Sequence, residues 1–430
     1  MDPAETSEDS EFNNFAAQSH IFNNSAEGGG EDPAESPATE DHSSCSDAYI
    51  PRDYDDDGSE PGSFVHIEDL DKELGRWKVP PEPLRPANPY KKGQIMEIRK
   101  HTACPPFGAD YPYYEGVPEY TSERHLRGTT LVELCLDHPA PKGGTATDQE
   151  PQTLEILKEI RAGDESGAQI VVCQFSASQE EVVAKIYDPL YYGFAHRMWS
   201  DQPRDVTYEA HMDYCREVAA YSELDGALGG KEIPQYYGSW TFQLPLEIPG
   251  RKPAMRDIRL VLMEYIQGTQ MTYLSPESVP ESVGMEIVTR LVEARAKIQF
   301  AGVKHGDISQ RNIMVCLAEP HRVTRVAFVD FNYAVVHRLA DYEQRFPGFD
   351  RRPKSNRRQK SNKLPNPIDV WWGGALYGVV GEWLPKSWEM RLRACQEWLY
   401  ERYGNSEDYE HPGRLLHWDE ENLPRIWIAI

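Results

Sequence analysis

Paired cysteine is what this sequence lacks most clearly. Its seven Cys (45, 104, 135, 173, 215, 316, 395) are scattered, odd in number, and never spaced as CxxC. Thiolate metal binding has no spacing to support it, and the pattern reads as a reduced, intracellular chain, cytoplasmic or nuclear. Long apolar runs are missing too. None approaches the roughly 20 residues that a membrane helix needs, so no membrane partner is expected. The N-terminus is polar and acidic, unlike a secretory signal or an Arg-rich transit peptide. No internal repeat is visible, and nothing favours nucleic acid as a target. Hydrophobic residues make up 39% of the chain, low enough to suggest that part of it does not fold.

The charge shows which part. The formal net charge is -25, and residues 1–80 carry about 21 Asp+Glu against about 4 Lys+Arg. This stretch is rich in Ser, Asn, Gly and Pro and cannot bury enough apolar surface to offset its ordering entropy. It is read as a disordered acidic tail. Residues 81–150 mix aromatics and prolines and are read as an irregular extension packed on the outside of the domain. Within them Thr129–Leu136 predicts a short strand and the stretch from Lys142 a flexible loop. Residues 151–430 hold the main domain.

From residue 153 the periodicity sharpens. Leu154–Ile160 alternates loosely, and Ile170–Phe175 and Val182–Tyr187 are short β-branched runs separated by a polar turn, which predicts an antiparallel meander. A helix is expected within 207–225, with Met212, Cys215, Val218 and Tyr221 on one side. Strands follow around 236–243 and 258–264. A long helix begins near Ser278-Val-Pro-Glu281, a capping-box sequence, with Val283, Ile287, Leu291, Ala294 and Ile298 on its apolar face.

The chemistry gathers at His305-Gly-Asp-Ile-Ser-Gln-Arg-Asn312 and Val329-Asp330-Phe331-Asn332. Asp307 and Asn312 lie five apart on a loop, and Asp330 ends the apolar run from Arg325. Phosphoryl transfer from a nucleotide requires these groups: a carboxylate to orient the attacking hydroxyl, and an amide with a further carboxylate to hold Mg2+ against the phosphates.

This spacing resembles the catalytic loop and metal-binding Asp of the protein-kinase-like superfamily, in an atypical, fungal-type form. The resemblance covers about residues 155 to 385. It implies an α+β, bilobal protein-kinase-like fold: a small antiparallel-sheet N-lobe (about 151–263) and a mainly helical, shortened C-lobe (about 268–430). It implies Lys185, in Val183-Ala-Lys-Ile186, as the phosphate-holding lysine and Glu217 as its helix partner, with Glu223 the competitor. Asp307 becomes the catalytic Asp, and Asn312 and Asp330 the metal ligands. Backbone groups of Glu264 and Ile266 would meet the adenine edge, and Gly163 and Gly167 would stand in the phosphate loop. Asp369, in Asp-Val-Trp-Trp-Gly-Gly374, matches a residue that braces the catalytic loop in that family. The implied cofactors are ATP and Mg2+, and the implied substrate is a protein or small-molecule hydroxyl.

The pattern also departs from the family. Only one glycine of the phosphate loop is kept in register, Gly306 stands where many protein kinases have Arg, Asn332 replaces Gly, and no Ala-Pro-Glu lies between Asp330 and Asp369. The segment 351–363 holds seven basic residues and no acid, fit to contact acidic substrates, serve as a nuclear-import signal or attract the acidic tail. Three functions are left open: an atypical protein kinase, a pseudokinase scaffold with weak or no turnover, and a small-molecule kinase of the same fold.

Overall fold

The computed structural model describes residues 75–413 apart from 109, 146–148, 165–166, 197–200, 251, 319–320, 342–361, 373–375 and 389–391. The acidic stretch to residue 74 and nearly all of the basic segment therefore lie outside the described residues. Trp77 is buried and meets Phe194 edge-on, ring centres 5.6 Å apart.

The meander expected from residue 153 is present as β3 (Gln152–Arg161), β4 (Gln169–Phe175) and β5 (Glu181–Tyr187). Each pair is antiparallel, with Ile170 opposite Lys185. β6 (Tyr236–Leu246) and β7 (Ala254–Glu264) extend the sheet in the order β3-β4-β5-β7-β6. Its ends are joined by β1 (Ile95–Thr102). The first half of β1 pairs with β3 (Ile95 opposite Glu155, Ile98 opposite Gln152) and the second half with β6 (Arg99 opposite Thr241, Lys100 opposite Trp240). The two-residue β2 (Gly144–Thr145) adds to the end of β1. Met96 and Ile98 are buried while Ile95 and Glu97 are exposed, the period-2 pattern of a half-buried strand.

The result is a closed, six-stranded antiparallel barrel, which overturns the bilobal protein-kinase-like fold expected from the motifs. An open five-stranded sheet would leave two edges of unpaired N–H and C=O groups; a sixth strand shared between both ends removes them. The mainly helical C-lobe is likewise corrected. Beyond β7 the described residues include a three-stranded sheet of β8 (Thr269–Gln270), β10 (Ile313–Ala318) and β11 (Arg322–Phe328), and a pair of β9 (Val303–Lys304) and β12 (Val335–Val336). The class is α+β with a barrel and few helices.

Helices α1 (Glu123–Arg127) and α2 (Leu131–Asp137) precede the barrel strands β3–β7. α2 corrects the strand expected at Thr129–Leu136. Thr130 and Glu133 form a reciprocal capping box, Glu82 accepts from the Leu131 N–H, and Leu131, Val132, Leu134 and Cys135 bury one face. A local cap outweighed the β-branched start. α3 (Val206–Leu228) starts where Asp205 accepts from the N–H groups of Thr207 (3.2 Å) and Tyr208 (3.0 Å). α4 (Glu281–Phe300) buries Ile287, Leu291, Ala294 and Ile298 as its periodicity predicts. Its expected capping box does not form. Pro280 occupies the cap position without a side-chain bond, and Ser278 turns back to the Ser275 carbonyl at 2.6 Å. The short α5 (Pro367–Trp372), α6 (Leu376–Val380) and the longer α7 (Leu392–Tyr403) follow. Among the described residues no helix is long and apolar enough to cross a membrane.

Candidate functional site

The site lies where β5, α3 and the two loops flanking the β10–β11 hairpin meet. Lys185 points from β5 toward α3, and its Nζ donates to Glu217 and, at 2.6 Å, to Asp330 Oδ1. Lys185 is 3% exposed and Glu217 fully buried. Glu217 also accepts from the Tyr187 hydroxyl and, at 3.3 Å, from the Phe331 N–H, so one carboxylate ties strand, helix and loop together. The competitor Glu223 is engaged elsewhere, on Arg338 at 2.7 Å.

Burial alone would strip the proton from Lys185, yet Asp330 and Glu217 outweigh it and raise its pKa. The same balance acts on Asp330. Burial favours its neutral form, Lys185 more than compensates, and its pKa is lowered. In Glu217 burial prevails over Lys185 and raises the pKa. One ammonium between two carboxylates leaves a negative site, which a divalent cation would complete.

The loop carrying Asp307 is built on a close backbone approach. Gly306 has φ +85°, and a Cβ there would strike the Tyr333 carbonyl. Glycine at this position therefore has a steric reason of its own, independent of any charge Arg would have supplied. His305 is buried, accepts from the Asp307 N–H at 3.3 Å through Nδ1, and donates Nε2–H to the Val329 carbonyl at 3.1 Å. Burial lowers its pKa to about 4, so it remains a neutral link between the two loops. Asn312 is 3% exposed and donates through Nδ2 to the Asp307 carbonyl (3.0 Å) and carboxylate (2.9 Å). With Nδ2 spent this way, Oδ1 is the atom of Asn312 that a cation would take. Arg311 pairs with the Asp307 carboxylate at 2.8 Å. The left-handed residue in the second loop is Asp330 itself, φ +67°, and not Asn332, which stands where the resembled family has glycine.

The glycines sit less openly. Gln169, fully buried at the start of β4, fills the β3–β4 turn. It accepts from the Gly163 N–H at 2.7 Å and donates to the carbonyls of Gly163 (3.1 Å) and Gly167 (2.9 Å). Asp164 in that turn is paired with Arg85. At the end of β7 the Glu264 N–H donates to the Gln235 carbonyl at 2.9 Å, and the Ile266 carbonyl accepts from Gly268. The Glu264 side chain is held by Arg325 at 2.6 Å. Asp369 accepts from the Gly413 N–H at 2.8 Å, while Gln310, in the Asp307 loop, donates to the Val379 carbonyl at 2.8 Å.

No family model matches this chain, and a search of curated proteins returns no match. Together with the closed barrel this corrects the assignment to the protein-kinase-like superfamily. The shared spacing of a few polar residues is what the resemblance rested on, and the site has to be argued from its own geometry.

Two residues beside the site escaped the sequence reading. Tyr187 is one. Asp213 is the other, one turn before Glu217 on α3, and the four-residue spacing Glu209-Asp213-Glu217 was the available signal. Burial, then repulsion from Glu209, push the Asp213 pKa up to about 7 against the pull of Lys185 and Arg216, with Asp330 raising it further. A carboxyl whose folded pKa is raised keeps a proton that the unfolded chain releases near pH 4, so stability falls as pH rises from about 4 to about 7 and is level above. Asp213→Asn is expected to melt with wild type near pH 4 and to be more stable by about 1–3 kcal/mol at pH 8. Melting curves of both proteins across that range check this; an equal pH slope in the two would contradict it.

Among the described residues no cluster of three or more His, Cys, Asp or Glu side chains is arranged for a metal. Mg2+ nonetheless fits the residues present, because it commonly binds through one or two carboxylates plus substrate phosphates and keeps several waters. Asp330, held ionised, and Asn312 are the oxygen donors suited to it.

Proposed function

We propose that the chain is a Mg2+- and ATP-dependent phosphotransferase that moves the γ-phosphoryl group to a hydroxyl of a protein or small molecule. The observation that carries the reading is the buried Lys185 shared between Glu217 and Asp330. Two carboxylates hold an ammonium charged in a place where burial would otherwise neutralise it, beside a loop presenting Asp307 and Asn312. In this reading Lys185 meets the phosphates, Glu217 fixes Lys185, Asn312 and Asp330 hold the cation, and Asp307 orients the acceptor hydroxyl. Mg2+ supplies charge neutralisation at the phosphates. Arg311 must release Asp307 for it to accept the acceptor proton. The six described cysteines are free thiols, which supports a reducing compartment, cytoplasm or nucleus.

A second reading, a nucleotide-binding scaffold with little turnover, is favoured by two contacts: Gln169 occupies the Gly163 N–H, and Arg311 neutralises Asp307.

A thermal-shift titration tests the shared premise. Mg-ATP at 100 times its Kd is expected to stabilise wild type by about 2.7 kcal/mol, several degrees of melting temperature for a domain of this size. The shift is expected to vanish without Mg2+ and in Asp330→Asn. Absence of any shift in wild type at millimolar Mg-ATP would overturn both readings. A shift without phosphoryl transfer to any hydroxyl acceptor would select the scaffold.

A further inference from the structure

Helix α3 has a second working face. Glu217 and Asp213 look toward the candidate site, whereas Cys215, Val218, Ala219 and Ser222 share the opposite side at helical spacing. A cavity of about 540 Å3 lies against that opposite side, walled across from the helix by the end of β1 and the start of β6. Its size is within the range of small-molecule sites.

The lining is electrostatically unlike the chain as a whole. Asp+Glu outnumber Lys+Arg by 70 to 45, yet among the described residues no carboxylate lines this cavity and Lys100 does. The Lys100 ammonium donates to the Tyr237 carbonyl at 2.8 Å and stands 4.0 Å from the centre of the Trp240 ring. A carbonyl and a π face thus hold a charge that an anion would hold better. Burial lowers the pKa of Lys100. Gly238 makes room for it: φ is +102°, and a Cβ there would come within 2.5 Å of Lys100 Nζ. His101 also lines the space. It is 4% exposed, its Nδ1 is hydrogen-bonded with the Tyr214 hydroxyl at 2.6 Å, and its buried Nε2 has no partner among the described residues. Burial, with Arg259 nearby, lowers the His101 pKa to about 3, so it adds no charge to the lining. One positive charge suits a monoanion, and the wall formed by Ala103, Val218 and Ala219 suits an apolar body.

We propose that this cavity binds a small organic carboxylate, with its charged end at Lys100 and its apolar end against α3. Tyr236 lines the cavity and stacks on Tyr221 (ring centres 5.6 Å apart, planes at 11°), and Tyr221 meets Phe331 edge-on at 5.1 Å. Occupancy is thereby linked to the residue next to Asp330. This link, unlike the cavity itself, rests on the phosphotransferase reading.

Calorimetric titration of the full chain with 3-phenylpropionate tests the site, with 3-phenylpropylamine as the control of similar body and opposite charge. Wild type is expected to bind the carboxylate and not the amine. Lys100→Met should weaken binding at least about tenfold. Ala219→Leu, which fills the cavity from the helix and leaves Lys100 in place, should do the same. No heat of binding below about 10 mM, equal binding of the amine, or undiminished affinity in Ala219→Leu would each overturn the proposal, and none of these readouts involves ATP. Saturating carboxylate is further expected to change Mg-ATP affinity by about fivefold or more. An unchanged affinity with carboxylate binding intact would overturn the link alone.

Discussion

Lys185→Met is expected to cost about 3–5 kcal/mol of stability, the usual penalty for leaving a buried charge without its partner. Glu217 is fully buried and Lys185 3% exposed, so water cannot replace the missing ammonium. The Tyr187 hydroxyl and the Phe331 N–H remain on Glu217, but neither carries charge. The double variant Lys185→Met/Glu217→Gln should recover much of the loss, because it removes both charges together. Chemical denaturation of the wild type, both singles and the double measures this coupling. Additive losses would mean that the two side chains do not act as a pair. The Mg-ATP shift should be lost in Lys185→Met and in the double variant alike, which separates a role toward nucleotide from one in folding.

A loss of similar size, about 3–5 kcal/mol, is expected for Arg256→Met in the barrel. Asp188, at the end of β5, is fully buried. Arg256 of β7 grips it with two bonds, 2.5 and 3.2 Å, and the Tyr90 hydroxyl donates to it at 2.7 Å. Asp188 also caps the turn that follows by accepting from the Leu190 N–H. Its attraction outweighs the cost of burying Arg256 and raises the guanidinium pKa. Methionine would fill the space and leave the carboxylate unpaired. Asp188→Asn in the same background should restore part of the stability. Because the hydrogen bonds of Tyr90, Asp188 and Arg256 among the described residues do not reach Lys185, Glu217 or Asp330, the Mg-ATP shift is expected to persist in Arg256→Met at temperatures where it is folded, in contrast to Lys185→Met.

The local elements were largely legible. Strands β3 to β7 and helices α3 and α4 follow from β-branched runs and from apolar positions three and four apart, because burial of one face leaves a period in the sequence. The pairing of Lys185 with Glu217 was implied by the resemblance, and the structure brings the two side chains together although the family assignment is corrected. Local reading failed where two local signals competed. Thr129–Leu136 begins with residues favoured in strands, but Thr130 and Glu133 cap a helix. Ser278 and Glu281 have capping-box spacing, but the turn at Ser275 takes the Ser278 hydroxyl.

Local sequence alone therefore determined most of the secondary elements between residues 153 and 300 and the order of the polar residues along them, since both depend on neighbours within a few positions. Closure of the barrel was decided only in three dimensions. β1 is a single ordinary strand whose two halves pair with partners far apart in the chain, and neither Arg99 nor Lys100 signals that its partner is Thr241 or Trp240. Tertiary structure alone also decided the chemistry around the candidate residues. Gln169 entered the glycine turn, Arg311 met Asp307, and Asp213 was lifted to about 7. Each of these depends on which groups share a buried space, and burial sets both the cost of a charge and the strength of its partners.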